Sequence, residues 1–429
     1  MVIALARLRI ISTVLTCCLI PSAVYAQGIF LPAGGAVNRG MGGATTGTAI
    51  EAIGSMYWNP ATISQLQTDE LAFGFEALYG QQELSSTFPN VGSGVTDSEM
   101  GVNPIPTIAW VHHLEDSNMS FGLGIFGVAG FSMNMPADAT NPILSPPVNL
   151  GGVGVGGVKG DAVFFQLNPA VSMQVTEQLS IAAGPVVGLG KVNIDENIFV
   201  VPNANGDYPR GDGTRYHWGL GAQVGVHYVH NCCWEFGANV KTPTWFEPFR
   251  YFSENAAGQR RIDKVDITLP LIVTGGVAYK GLPYTVLTAD LRFLNYADTE
   301  LLGTPAAYNP NGSASGLGYR DQFAVALGAQ VDLTQKFTAR VGYIFATDLI
   351  NDADTFFNIA SDLSYRHVPC FGGSYHLNDC TDISFAYNYL LAWGSTGPYV
   401  LPGVGPVAGT SVTTRLDTHI ATLGINVKF

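Results

Sequence analysis

The sequence predicts an all-β fold: a 14-stranded antiparallel transmembrane β-barrel with an N-terminal plug in its lumen. Three observations predict it. Charged residues make up only 12% of the 429 residues and hydrophobic ones 47%, a charged fraction roughly half that of a soluble chain. Beyond the first 26 residues no stretch approaches the roughly 18–20 unbroken apolar residues that a spanning helix needs. From about residue 69 onward, side chains alternate with a period of two, which is the mark of strands. In lipid every backbone N–H and C=O needs an internal partner, so a chain that crosses without helices must close into a barrel.

Residues 1–26 have the form of a signal peptide. Arg7 and Arg9 supply the positive start, residues 10–20 an apolar core, and Val24-Tyr25-Ala26 a small-residue cleavage site before Gln27. The core is too short for a membrane anchor. The formal net charge of −13 becomes more negative once two arginines are removed, and this acidity speaks against nucleic acid as a partner. Four of the six cysteines remain: Cys232, Cys233, Cys370 and Cys380. An exported chain can form disulfides, but four cysteines allow three pairings and sequence does not choose among them.

Residues 27–68 come next and break the alternation. They are rich in Gly, Ala and Thr and too few to bury a core of their own, so they are expected to pack inside the barrel as a plug. Residues 69–429 divide into fourteen segments, near 69–80, 104–114, 118–135, 159–176, 178–198, 214–229, 233–249, 262–281, 283–299, 319–333, 336–347, 361–377, 381–395 and 413–429. An even count suits a single-chain bacterial barrel. The connections alternate between tight turns and long loops rich in Gly, Pro, Asn and Ser, such as 81–103, 136–158 and 199–213. Short turns belong on the periplasmic side and long loops outside. In the last segment Ala421, Leu423, Ile425, Val427 and Phe429 share one face, and Thr422, Gly424, Asn426 and Lys428 the other. Lipid outside and a lumen inside demand that division. A chain ending on Phe429 also suits recognition by the barrel-assembly machinery.

Catalytic motifs are missing. There is no Gly-x-Ser-x-Gly elbow and no HExxH. Two Gly-x-Gly-x-x-Gly runs, at Gly122 and Gly152, lack the βαβ context that would give them meaning. Cys232-Cys233 stand adjacent, without a CxxC spacing. The expectation is a non-enzyme without metal or cofactor.

Within 27–68, Gly40-Met41-Gly42-Gly43-Ala44 is followed by Met56-Tyr57-Trp58 and then Asn59-Pro60-Ala61. This resembles the N-terminal hatch of the FadL-type outer-membrane transporters of long-chain fatty acids, which ends in an Asn-Pro-Ala motif before the first strand. Gly122-Leu123-Gly124, Asn168-Pro169-Ala170 and Arg366-His367-Val368-Pro369 extend the resemblance over the whole chain. The acidic pair usual in that hatch is here Glu51-Ala52-Ile53-Gly54, a departure that bears on the hatch's contacts. The resemblance implies fourteen strands and passive uptake: capture of an apolar molecule at external loops, binding above the hatch, and lateral exit at a kink in the third strand. That strand carries Gly122, Gly124 and Gly127, and glycines weaken and bend strands.

A fatty-acid carboxylate entering an apolar cavity needs a cation or several N–H donors in place of water. Following the alternation inward places Glu76, Glu235, Lys241, Asp266, Asp290, Arg292, Arg340, Arg366 and Asp382 in the lumen. Lys241, Arg292, Arg340 and Arg366 are therefore the candidate head-group ligands, arginine having the planar fork that matches a carboxylate. In the nearly uncharged loop 136–158, Ile143 and Leu144 are the candidate capture surface. Expected partners are outer-membrane lipid and a hydrophobic small molecule, with the chain acting as a monomer. The alternatives are a general porin or surface antigen, which needs no hatch, and an outer-membrane acyl hydrolase, which needs a Ser–His pair in contact.

Overall fold

The computed structural model describes residues 29–147, 150–211, 215–255, 257–361 and 365–429; the expected signal peptide lies outside them. Fourteen strands form the wall: β1 (Glu70–Phe88), β2 (Val102–His113), β3 (Met119–Met135), β4 (Val158–Gln174), β5 (Leu179–Asp195), β6 (His217–Val229), β7 (Trp234–Lys241, resuming over Thr244–Phe246), β8 (Thr268–Leu269, resuming over Leu271–Leu282), β9 (Thr285–Asn295), β10 (Gln322–Asp332), β11 (Phe337–Ala346), β12 (His367–Asn378), β13 (Thr381–Gly397) and β14 (Ser411–Lys428). The interruptions in β7 and β8 fall at Pro243 and Pro270, which have no N–H to give to the ladder. Neighbours in sequence are antiparallel neighbours in space. The sheet closes where β1 meets β14, from Glu70↔Lys428 to Thr87↔Ser411. Closure leaves no edge strand exposed to lipid.

The alternation sorts the two faces. Leu423 is 64% exposed on the outside and Thr422 2% on the inside, as one face meets lipid and the other the lumen. Phe73, Phe75, Leu291 and Phe323 extend the apolar exterior. Short turns gather at the end that holds Asp69 and Phe429, which are joined by a Phe429 N–H donated to the Asp69 carbonyl at 3.0 Å.

Two expectations about boundaries are corrected. The segment 81–103, read as a loop, continues β1 to Phe88 and returns as a strand over Gly92–Asp97. Crossing takes about 9–11 residues, and β1 has 19. Its outer half therefore has no lipid to satisfy, and Gln81, Glu83 and Ser85 need not be apolar. The segment 262–281 is likewise split, and its first part pairs Arg260–Val265 with Phe249–Glu254 in a separate outer hairpin. Asp266, expected in the lumen, is exposed beside that hairpin.

Residues 29–68 fill the lumen. They hold α1 (Ala36–Gly40), α2 (Ala52–Trp58) and a 3-10 turn (Pro60–Gln65). Every residue of α1 and α2 is buried. Glu51 caps α2, its carboxylate accepting from the Ile53 and Gly54 N–H groups at 2.8 and 2.7 Å, so the departure from the resembled motif has a structural use. Asn59 does three things at once. Its Oδ1 accepts from Ala61 N–H, and its Nδ2 donates to the carbonyls of Thr46 in the hatch and Val226 in β6. Gly42 and Gly43 adopt φ of +62° and +75°, where a Cβ is strained. Gly42 also lies so close to the wall that a Cβ there would meet the Leu327 carbonyl oxygen and the Tyr343 nitrogen at 3.0 Å.

Candidate ligand cavity and side opening

Above the hatch, toward the long loops, lies a cavity of about 540 Å³. Its walls come from the outer ends of strands (Phe131, Phe164, Ile194) and from loops (Phe199, Tyr208, Tyr308, Phe356, Phe357, Tyr399), with Ile29 at its floor. Pockets for small ligands run to about 300–1,000 Å³ with mostly apolar walls. Its charged lining groups are the carboxyls of Glu196 and Asp207; no lysine, arginine or histidine lines it among the described residues. Burial, followed by the nearby charges of Asp195 and Asp207, raises the pKa of Glu196 to about 7.

A gap in the wall lies beside this cavity. β2 and β3 pair from His113↔Ser120 up to Thr107↔Phe126, and the pairing stops there. The reason is legible in β2, where Asn103-Pro104-Ile105-Pro106 offers two residues without an N–H. On its other side β3 shifts register against β4 between Gly127 and Ala129, leaving Val128 as the extra residue of a bulge. The freed edge of β3 is taken by the N-terminal segment. Leu31 N–H donates to the Val128 carbonyl at 2.7 Å, and Gly130 N–H to the Ile29 carbonyl at 3.1 Å. Farther out, Glu99 N–H donates to the Asn134 carbonyl at 2.8 Å and closes the gap from above. A second cavity, of about 50 Å³, lies behind it and shares Ile29 and Phe131 with the larger one.

The irregularity of β3 is thus at Gly127–Ala129, one step beyond the first two glycines named from sequence. Gly122 and Gly124 lie in the regularly paired part. A Cβ on Gly122 would meet the Met56 sulfur of the hatch at 2.3 Å, so that glycine makes room for the hatch. A Cβ on Gly127 would meet Ile105 of β2 at 2.5 Å.

The four candidate cations point into the barrel but are not brought together at the apolar cavity above the hatch. Lys241 Nζ donates to the Tyr57 carbonyl at 2.7 Å. Arg292 donates to the carbonyls of Pro32 and Gly43 at 2.9 and 2.6 Å, stacks 3.7 Å over the Trp58 ring, and lies 3.8 Å from Asp290. Both are spent holding the hatch, as is Arg39, paired with Glu76 at 2.5 Å with both side chains fully buried. Arg340 bonds Gln330 and Ser374 in a polar cavity of about 620 Å³ near the periplasmic turns, together with Glu51, His376, Asp382 and Lys428. Arg366 pairs with Asp348 at 2.7 Å and stacks on Trp393. A buried charge without a partner is costly, and for Lys241 and Arg292 the partners are carbonyls of the hatch.

Ile143 and Leu144 are completely buried, packed with Leu84, Phe88, Met133 and Phe356 inside the loop layer. They form its core rather than an exposed capture surface. The hatch residues Gly42, Asn59, Pro60 and Ala61 are all buried. Cys232, Cys233, Cys370 and Cys380 are free thiols, with Cys232 and Cys233 sulfurs 3.4 Å apart. Sequence reading missed Glu196 and the aromatic lining contributed by loops. The one available signal was aromatic pairs such as Phe356-Phe357 within long polar loops.

The sequence profile of the outer membrane transport protein family OMPP1/FadL/TodX matches residues 17–429. The chain belongs to that family. It is an outer-membrane transport protein rather than an enzyme. Among solved structures, the Pseudomonas putida toluene transporter TodX is similar with a TM-score of 0.69 at 16% identity, over 93% of this chain and 99% of that one. The Ralstonia pickettii toluene transporter TbuX gives 0.64 at 16% identity, over 93% and 99%. A Pseudomonas aeruginosa FadL homologue gives 0.68 at 12% identity, over 94% and 100%. At these identities the likeness is one of fold. No curated protein matches the sequence.

Proposed function

We propose that this protein takes up uncharged hydrophobic compounds, passively, and that hydrocarbon rather than fatty acid is its cargo. The observation that carries this reading is the lining of the apolar cavity above the hatch: aromatic and aliphatic side chains, two carboxyls, and no cation among the described residues. A fatty-acid anion would exchange water for an apolar wall and a like charge, with no cation among the described lining residues to offset the loss. An uncharged molecule loses little water and gains from burial at about 25 cal/mol per Å² of apolar surface. The gap between β2 and β3 supports a sideways route. Cargo enters through the loops, rests on Ile29 and Phe131, and leaves sideways between β2 and β3 once residues 29–31 release the edge of β3. Exit into the bilayer keeps an apolar molecule out of water throughout.

Titration calorimetry of the detergent-purified protein tests the cargo class. Ethylbenzene should bind and oleate should compete poorly with it. Oleate binding tighter than ethylbenzene at pH 8 would overturn the reading and return the fatty acid to first place.

A further inference from the structure

The outer hairpin of Phe249–Glu254 and Arg260–Val265 has one face on the barrel and one on the surroundings. Phe249, Tyr251 and Val265 are buried. The opposite face presents two cross-strand pairs in register, Arg250↔Lys264 and Phe252↔Ile262, followed by Glu254↔Arg260. Phe252 is 69% exposed and Ile262 55%. As cross-strand neighbours they form one exposed apolar patch, the kind of surface that marks a contact site. The cations beside them are also uncommitted. Arg215 pairs with Glu247, Arg210 with Asp195 and Arg261 with Asp263, whereas Arg250, Arg260 and Lys264 have no ion pair among the described residues. Glu254 and Asp266 are the carboxylates exposed alongside.

Height decides what lies opposite this face. Trp218 and Trp245 are exposed at 61% and 56% on the outer ends of β6 and β7, in the manner of the aromatic girdle that marks a membrane interface. The hairpin is tied to that rim, with Glu247 N–H donating to the Trp218 carbonyl and Arg250 N–H to His217. Arg250 follows Trp245 by five residues, at most ~17 Å of extended chain. Arg250 and its cross-strand partner Lys264 therefore stand nearest the headgroups, and Phe252↔Ile262 and then Glu254↔Arg260 follow outward along the hairpin. We propose that this face docks the phosphorylated headgroup of an outer-leaflet glycolipid. Arg250, Arg260 and Lys264 meet its phosphates, for which guanidinium forks are well matched, and the Phe252–Ile262 pair between them packs against the body of the headgroup. This is a second lipid contact, separate from the cargo cavity and independent of which cargo that cavity takes.

The test uses the full-length barrel in nanodiscs of zwitterionic lipid and adds diphosphorylated lipid A or its dephosphorylated form. Wild type should retain the diphosphorylated form at least fivefold better, with the preference shrinking as salt is raised. The triple variant R250Q/R260Q/K264Q should lose the preference while keeping heat-resistant gel mobility and ethylbenzene binding. Equal retention of both forms by wild type would overturn the proposal whether or not the variant folds. So would a variant that folds and keeps the full preference.

Discussion

Glu196 stands half-buried in the wall of an apolar cavity, and its raised pKa of about 7 has consequences in both directions. An acid with a folded-state pKa above its ordinary 4.5 binds its proton more tightly in the folded protein. It favours folding fully below its ordinary pKa, and this contribution is lost as pH rises toward 7. The same titration alters the cavity, because a neutral carboxyl gives up water to an arriving hydrocarbon more readily than a carboxylate does. Ethylbenzene affinity should be about threefold higher at pH 6 than at pH 8, and Glu196→Gln should flatten that dependence in calorimetry; a profile unchanged by the substitution would detach Glu196 from the cavity. Deeper in the lumen, Arg39→Met leaves Glu76 buried without its partner and should destabilise the protein by about 3–5 kcal/mol, read from the midpoint of urea unfolding. The inward direction of Lys241, Arg292 and Arg340 was legible from alternation alone. Their partners were not, since Tyr57 is 184 residues from Lys241 in the chain and Gly43 is 249 from Arg292. Period two gives the face of a strand and says nothing of what fills the lumen behind it.

At the scale of the element, the decisive piece is the outer end of β2. Pro104 and Pro106 withhold the N–H groups that β3 would need, and the edge of β3 is left to residues 29–31. Replacing both prolines with valine restores donors and favours strand conformation. The double variant should bind ethylbenzene as before yet deliver it to cells or proteoliposomes at least fivefold more slowly, as followed by radiolabelled uptake. Transport at the wild-type rate would move the exit elsewhere. The glycines of β3 stand out in the sequence and the prolines of β2 do not, because a glycine run marks a bend in its own strand, whereas a missing donor matters only once the neighbouring strand is known. The outer half of β1 went unread for a related reason. Alternation of apolar and polar residues is imposed by lipid, and Gln81–Phe88 has passed beyond it.

At the scale of the whole molecule, the strand count, the order of short and long connections and the closing seam all follow from one solvent condition repeated fourteen times. That is why they were readable without any knowledge of the lumen. Two measurements probe this layer. Leu423→Lys should cost about 2–4 kcal/mol at the lipid face and Thr422→Lys much less, compared by unfolding in detergent; equal costs would mean that the faces are assigned the wrong way round. Deleting residues 28–66 should leave a heat-resistant barrel, since the closed ladder from Glu70 to Lys428 is untouched, and should convert it to a leaky pore in planar bilayers. Conductance at the wild-type level would argue against a hatch that seals the lumen.

The contact of Gly42 with the backbone of β10 and β11 also bears on the order of events during synthesis of the native state. A segment that touches the wall this closely, and that is tethered directly ahead of β1, has no room to thread into a finished cylinder. The expected order is enclosure while β1 and β14 are still apart, with the seam joining last around an interior already in place. Refolding from urea into detergent should then be slower for the full chain than for the chain lacking 28–66, and the difference should reside in the final, seam-closing step.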